Sequence, residues 1–556
     1  MKDILINKRF WKGWISNDSI NGRCGAVKPC THNCQKGIPM KMSMPYQFLA
    51  AWMSVVCYLP PIYLFTDAHL LPKWYLCLLG LAGTEMLVAV ALWRGKRLEL
   101  HGEAWSFVCK VFTLTTALEC LWVAVCIVRE GLRQGGEAGT LDNPAELSLH
   151  LCVVLPMTGW LLVHSEGRKW RLAYGAAAVL SAVVLWLTQS RTGLICLALY
   201  GIIGLWLVVC RYIHRKLLRW GIYGVTVVVL LAGTSVYVTF RKTDSTSGRA
   251  FILGRSWELV KEHPIIGHGH RGFEREYMLR QADFFREHPD SEYAVLADEI
   301  RHPLNEFLYV WVNYGVAAPV ALLLLLLLPL WRWLRGDKKM QPFLLPMTAI
   351  LVFSFFSYPF YYPIAWLMVG VSVLYAIRRT LHCWQQRKVF PYLLSVLSLT
   401  VIGFTMNDAL HEHGWYRAYR HSFREDSALM EYEDLYPYFR RNHVFLYSYA
   451  MASFKRKDLD RAKVVIDECG PLWSGYNREL LAGDICYYME EYPDAITHYE
   501  MAQAMCPVRF APLEGLYKVY DAIGDTLHLK EIAAQIATKQ VKVNSLDVMR
   551  IKRRCR

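Results

Sequence analysis

The stretch "GVAAPVALLLLLLLPLWRWLRGDKK" (Gly315–Lys339) runs from Val316 to Trp331 without a charged residue, then meets Arg332, Arg335, Lys338 and Lys339. About 20 predominantly apolar residues can cross the hydrocarbon core of a bilayer as a helix. A Lys/Arg cluster at one end marks the cytoplasmic side. The same pattern recurs along the chain. Apolar run length gives eleven expected spans, near 46–66, 72–93, 104–128, 148–164, 169–188, 192–210, 219–240, 306–328, 342–360, 363–377 and 391–407. Over all 556 residues, hydrophobic types make up 54% and charged types 20%, with a mean hydropathy of +0.19. This clumping of apolar residues excludes a disordered chain or a small disulfide-stapled one, and fits a single soluble domain poorly. The expected fold is all-α: a polytopic helical membrane protein of about eleven spans, followed by a soluble helical repeat domain.

The net charge of +15 is uneven. Residues 1–240 hold 23 Lys/Arg against 12 Asp/Glu, and residues 303–407 hold 8 against 2. Residues 241–302 and 408–556 are close to neutral. The basic excess therefore belongs to the membrane part, where loop charge sets topology. A nucleic-acid partner would call for a basic face on a soluble domain instead, so none is expected. Arg94/Lys96/Arg97, Arg168/Lys169/Arg171, Arg211/Arg215/Lys216/Arg219, Arg332/Arg335/Lys338/Lys339 and Arg378/Arg379/Arg387/Lys388 fall in alternate loops. Placing all five inside puts the N-terminus inside, and the 241–302 loop and the tail from about 408 outside. Five segments follow: an N-terminal cytoplasmic extension (1–45), a first membrane bundle (46–240), a large outside loop (241–305), a second bundle (306–407) and an outside helical domain (408–556).

Residues 1–40 are polar and basic, so no cleavable signal peptide is expected there. Cys24, Cys30, His32 and Cys34 lie in this extension. Their spacing matches no common structural zinc site, and no metal is assigned. Cys469, Cys486 and Cys506 in the tail would be free to pair in an oxidising compartment.

Residues 443–545 repeat a helix-pair pattern at about 34 residues. The clearest copy is "NRELLAGDICYYMEEYPDAITHYEMAQAMCP" (Asn477–Pro507). Leu481, Gly483, Tyr487, Tyr492, Ala495, Tyr499 and Ala502 fall near the small and aromatic positions of a tetratricopeptide repeat. Such units bury their faces only by stacking, and their grooves commonly take a protein partner.

Charged residues inside spans need a reason. Glu85, Lys110 and Glu119 lie inside expected spans, where structural pairing is the favoured reading. The outer ends of the helices are richer. "TQSRTG" (Thr188–Gly193) puts Arg191 at an outside helix junction, against the trend of basic residues inside. "STSGRAFILGRSWELVKEHPIIGHGHRGF" (Ser245–Phe273) places Arg249 and Arg255 on an amphipathic helix ending at His263–Pro264. It is followed by Gly267, Gly269 and Gly272. The glycine spacing follows a helix and a proline rather than a parallel strand, so a dinucleotide site fails its context and a tight turn is expected. "DEIRHPLNEFLYVWVNYGVAAP" (Asp298–Pro319) puts His302 and Asn305 at the start of the eighth expected span, on the same face as Arg191 and Arg249. A histidine suits proton removal from a hydroxyl near neutral pH. Two arginines suit a diphosphate.

"SRTG", "GR…EHPIIGHGHRGF" and "HPLNEFL…YG", taken in this order, resemble the O-antigen ligase/polymerase superfamily. It includes lipopolysaccharide O-antigen ligases, O-antigen polymerases and bacterial protein O-oligosaccharyltransferases. The resemblance covers roughly residues 170–330. Many members carry a second histidine just before the asparagine, where this chain has Leu304. The base role is therefore carried to His302 alone. The resemblance implies a GT-C-like fold in the bacterial inner membrane. It also implies a glycan donor linked to undecaprenyl diphosphate and inverting transfer without metal or cofactor. Arg191 and Arg249 would hold the diphosphate, His302 would activate the acceptor hydroxyl, and Asn305, Gly267 and Gly269 would support the site. A lipid A core sugar as acceptor makes a ligase, a glycan end a polymerase, and a Ser or Thr a protein oligosaccharyltransferase. From another class, a lipid-linked glycan flippase would show repeat-related broken helices, and no internal symmetry of that kind is visible.

Overall fold

The computed structural model describes residues 44–95, 102–133, 136–212, 243–422, 428–542 and 545–555, together with Gly221 and Gly224. Residues 1–43, with Cys24, Cys30, His32 and Cys34, lie outside the described residues, as does most of the seventh expected span. The described residues are helical, with no strand among them. The membrane part contains α1 (Met44–Val56), α2 (Leu71–Trp93), α3 (Gly102–Glu130), α4 (Pro144–His164), α5 (Arg168–Leu187) and α6 (Arg191–Tyr212). The loop carries α7 (Thr243–Glu262) and α8 (Gly272–Glu287). Then come α9 (Glu306–Tyr314), α10 (Ala317–Leu334), α11 (Leu344–Phe356), α12 (Pro363–Ala376), α13 (Arg378–Gln385) and α14 (Phe390–His421).

Seven helical segments among the described residues are long and apolar enough to cross a membrane: α2, α3, α4, α5, α10, α14, and α11 with the turn before it. The chain is a multi-pass membrane protein. Three expected spans differ from the structure. The one near 46–66 is only the 13-residue α1, because Pro60 and Pro61 remove amide donors and turn the chain out of helix. The one near 306–328 is split at Gly315 into α9 and α10, so a membrane-length helix starts only at Ala317. The one near 391–407 continues as α14 to His421. Its polar extension is held by hydroxyls: Tyr75 and Tyr438 donate to Asp408 at 2.8 and 2.9 Å, and Thr66 donates to Glu412.

The bundle closes around α4, whose Leu147, Leu149, Leu151, Cys152 and Val153 are buried. Two of its buried charged sites have polar partners. Lys73 Nζ lies 3.0 Å from Glu146 Oε1, each side chain only 1% exposed. Glu119 accepts from the Thr140 amide and hydroxyl at 2.7 and 2.9 Å. Lys110 is exposed.

The tail adds α15 (Ala428–Phe439) and three helix pairs: α16 (His443–Lys455) with α17 (Leu459–Cys469), α18 (Tyr476–Tyr488) with α19 (Tyr492–Met505), and α20 (Ala511–Ile523) with α21 (Thr526–Thr538). A last helix, α22 (Leu546–Arg554), follows. Cys469, Cys486 and Cys506 are free and buried in three different apolar clusters. Tyr499 locks two pairs together. Its hydroxyl donates to Asp484 at 2.7 Å, and its ring lies against Gly483 and Gly515.

Alanine at a solvated helix position normally stabilises relative to glycine by about 0.5–1 kcal/mol. A Cβ on Gly515 would stand 2.4 Å from the Tyr499 ring, whereas one on Gly254 in α7 meets nothing within 4 Å. Thermal unfolding in detergent should therefore show Gly515→Ala destabilised by roughly 1–3 kcal/mol, and Gly254→Ala unchanged or slightly more stable.

Candidate active site

Arg191 is the first residue of α6. The chain reaches it through Gln189 in a left-handed conformation (φ 53°). Ser190 then accepts the Gly193 amide at 3.2 Å as a cap, and receives a hydrogen bond from the Ser148 hydroxyl at 2.9 Å. A Cβ on Gly193 would lie 2.8 Å from Leu185 and 3.1 Å from Ser148. The string "SRTG" is thus a cap and a close approach to α4, and it leaves Arg191 at the helix end.

Arg249 lies in α7, and its Nη1 donates to the Phe356 carbonyl at 3.1 Å. That carbonyl ends α11, where helix carbonyls have no partner within the helix and carry partial negative charge. Burial, and next the nearby charge of Arg191, push the Arg249 guanidinium below its usual range. Two cations therefore share one patch. Arg255 is not part of it: it pairs with Glu258 at 3.0 Å and lies over the Phe284 ring.

The expected glycine turn is present. Gly267 and Gly269 have φ of 74° and 86°, and Arg271 before α8 has φ of 58°. The turn is zipped to the end of α9. The His268 amide donates to the Val312 carbonyl at 2.8 Å, Gly269 to Asn313 at 2.9 Å, and Val316 to Pro264 at 3.0 Å. The Asn313 side chain accepts the Phe273 amide at 2.9 Å. Gly267 and Gly269 thus hold the helix that carries the site.

Asn305 caps α9 by accepting the Leu308 amide at 2.9 Å, while its Nδ2 donates to the Phe355 carbonyl at 3.2 Å. It braces the turn onto α11 with both ends of its amide. His302 stacks on Tyr309 (ring centroids 4.6 Å) and leans on Tyr358 (5.3 Å). Its Nδ1 accepts the Leu304 amide at 3.0 Å, and its Nε2 lies 3.7 Å from Glu306 Oε2. Burial pushes the imidazole down to about 3 and the Glu306 carboxyl up to about 8. Leu304 has φ of 56°, left-handed and unfavourable for a leucine.

Tyr358 joins the two halves of the site, since its ring is tilted against His302 and it lies near Arg249. Neither Tyr358 nor the Phe355 and Phe356 carbonyls were among the residues expected from sequence. Main-chain oxygens leave no residue signature, and an apolar run hides one tyrosine.

The tail is built into the loop. Phe273, Tyr277, Met278 and Val312 share one buried cluster with Tyr476, Ala502, Met505 and Cys506. Gln281 Nε2 donates to Met505 O at 2.7 Å and Asp298 O at 3.1 Å. Asn477 donates to Glu299 at 2.6 Å, Arg509 pairs with Asp298, and the Ser474 hydroxyl donates to the Arg275 carbonyl. Burial, then the charges of Arg271 and Arg301, pushes His443 down to about 4. The neutral ring accepts from Arg271 Nη1 at 3.1 Å. Segment 298–302, which leads to His302, is therefore held from the tail side.

Residues 176–323 match the family described as O-antigen ligase. Over this segment, about a quarter of the chain, it is similar to the O-antigen ligase family, in line with the sequence resemblance. No curated protein and no solved structure matches it. The O-antigen ligase segment contains Arg191, Arg249, His302, Asn305 and the glycine turn, but stops before Phe355–Tyr358 and the tail. This similarity supports a glycosyltransferase-type activity on lipid-linked glycan and an acceptor.

Gln281→Ala removes both amide bonds from a fully buried position, leaving two carbonyls to find new partners at about 1–3 kcal/mol. Hydrogen–deuterium exchange across residues 296–304 should rise in this variant, while that of α2–α5 stays as in the parent.

Proposed function

We propose that the protein transfers a glycan from undecaprenyl diphosphate to an acceptor hydroxyl, inverting the anomeric carbon and using no metal. The reaction takes place at the periplasmic face of the bacterial inner membrane, with the tail on that side. The observation that carries this reading is the meeting of Arg191, Arg249, Tyr358 and His302 at one end of the bundle, three of them inside the O-antigen ligase segment. Two like charges repel in a shared patch, and a diphosphate relieves that repulsion through bidentate hydrogen bonds to both forks. When the glycosidic bond breaks, the diphosphate gains charge. Fixed guanidiniums at that point stabilise the transition state more than the ground state. The apolar helix surfaces take the polyprenyl chain. His302, kept neutral by burial, accepts the proton of the acceptor hydroxyl as its oxygen attacks.

The acceptor is a lipid A core sugar or the end of another glycan, giving ligase or polymerase activity. A protein Ser or Thr is the alternative, with the tail as the surface that receives a protein partner. Transfer in membranes supplied with extracted lipid-linked glycan and each acceptor class identifies the product. Arg191→Ala and Arg249→Ala should each lower transfer about 10²–10³-fold, with lysine replacements intermediate because they keep the charge but lose the fork. Full transfer by both alanine variants at normal protein level would sink the diphosphate assignment.

A further inference from the structure

His302 has two ring nitrogens, and the structure gives them different work. Nδ1 accepts the Leu304 amide at 3.0 Å, so the proton of the neutral ring sits on Nε2. Nε2 points to Glu306 Oε2 at 3.7 Å. That oxygen is buried and has no hydrogen-bond partner. Glu306 itself is only 7% exposed at the first turn of α9. A buried carboxylate oxygen without a donor is costly unless a proton or a cation comes to it. The only titratable group placed to supply one among the described contacts of that oxygen is His302.

We propose that Glu306 is the positioning carboxylate of His302: it faces Nε2–H, fixes the tautomer that leaves Nδ1 as the base, and steadies the imidazolium that forms during transfer. The inference rests on the reading of His302 as the base. The acceptor hydroxyl takes the place of the Leu304 amide at Nδ1, a displacement helped by the unfavourable left-handed conformation of Leu304. Its proton passes to Nδ1 while an oxygen lone pair forms the bond to the anomeric carbon. The bond from that carbon to the diphosphate oxygen breaks, and its electron pair leaves with the diphosphate. The positive ring then faces Glu306, the arrangement in which a carboxylate orients a catalytic histidine without itself taking the proton.

Tyr309 and Tyr358 flank the imidazole, Glu274 accepts from the Tyr309 hydroxyl at 3.0 Å, and Arg249 lies beside Tyr358. Burial is what raises the Glu306 carboxyl, to about 8. A carboxyl stabilises the imidazolium only when ionised. Turnover should therefore rise with pH through about 8 and fall as Glu306 becomes protonated below it.

The experiment measures kcat and donor KM against pH for the full-length protein in membranes, with Glu306→Gln, Glu306→Asp and His302→Ala beside wild type. Glu306→Gln should lower kcat roughly 10²–10⁴-fold, leave donor KM within about 3-fold because the diphosphate contacts are intact, and lose the alkaline rise. Glu306→Asp should recover part of kcat together with the pH dependence. Wild-type kcat and an unchanged pH profile in Glu306→Gln would overturn the proposal, as would a wild-type kcat that stays flat between about pH 6 and about pH 9, a result independent of whether any variant accumulates. Full activity in His302→Ala would instead overturn the reading of His302 as the base.

Discussion

Two backbones that must touch organise the end of the bundle that carries His302. A Cβ on Gly315 would lie 1.8 Å from the Ile265 carbonyl oxygen, and one on Gly267 would lie 2.6 Å from the Gly315 amide. Both residues have φ of 74°, which a side chain would disfavour in any case. Because they meet, α9 ends where the glycine turn begins, and three amide–carbonyl bonds close the seam. The other end of α9 is then fixed in space. That is where Asn305 caps the helix and where His302 Nε2 lies 3.7 Å from Glu306 Oε2. Adding a single methyl at either glycine would push directly on the helix that presents the histidine.

The same helix end is gripped from the opposite side by main-chain oxygens. Asn305 donates to Phe355 O and Arg249 to Phe356 O, two consecutive carbonyls at the end of α11. Such carbonyls are already short of partners and bear the negative end of the helix dipole, so they suit an amide and a guanidinium. One helix terminus thereby sets both the turn that carries His302 and one of the two arginines. The distance between His302 and the cationic patch is governed by this shared anchor more than by the long loop that joins Arg249 to His302 in sequence.

Much of this was legible in the chain itself. Apolar runs gave the helical membrane architecture, and the order of "SRTG", the glycine-rich turn and "HPLNEFL" placed Arg191, Arg249 and His302 on one face. Run length, however, counts residues and ignores chain breaks. It joined α9 to α10 across Gly315 and carried α1 past Pro60–Pro61, although both breakers were in view. It also left Glu306 unremarked as the edge of an apolar run. Other features had no sequence signature at all. The Phe355 and Phe356 carbonyls act through main chain, and Gln281 meets Met505 across 224 residues of sequence. No local periodicity encodes that encounter.

That long-range encounter bears on where the functional unit ends. The O-antigen ligase segment closes at residue 323, yet the cluster under the loop draws Tyr476, Met505 and Cys506 from the tail. Each large apolar side chain buried there contributes about 1.5–3 kcal/mol relative to exposure. Whole-domain stability is usually only 5–15 kcal/mol, so a few such residues decide whether α7, α8 and α9 keep their arrangement. Phe273, Tyr277 and Met278, all buried against the tail, would face water if it were absent. The tail is thus a wall of the core beneath α7, α8 and α9, and any role it has in receiving an acceptor acts on a surface already tied to His302 through segment 298–302.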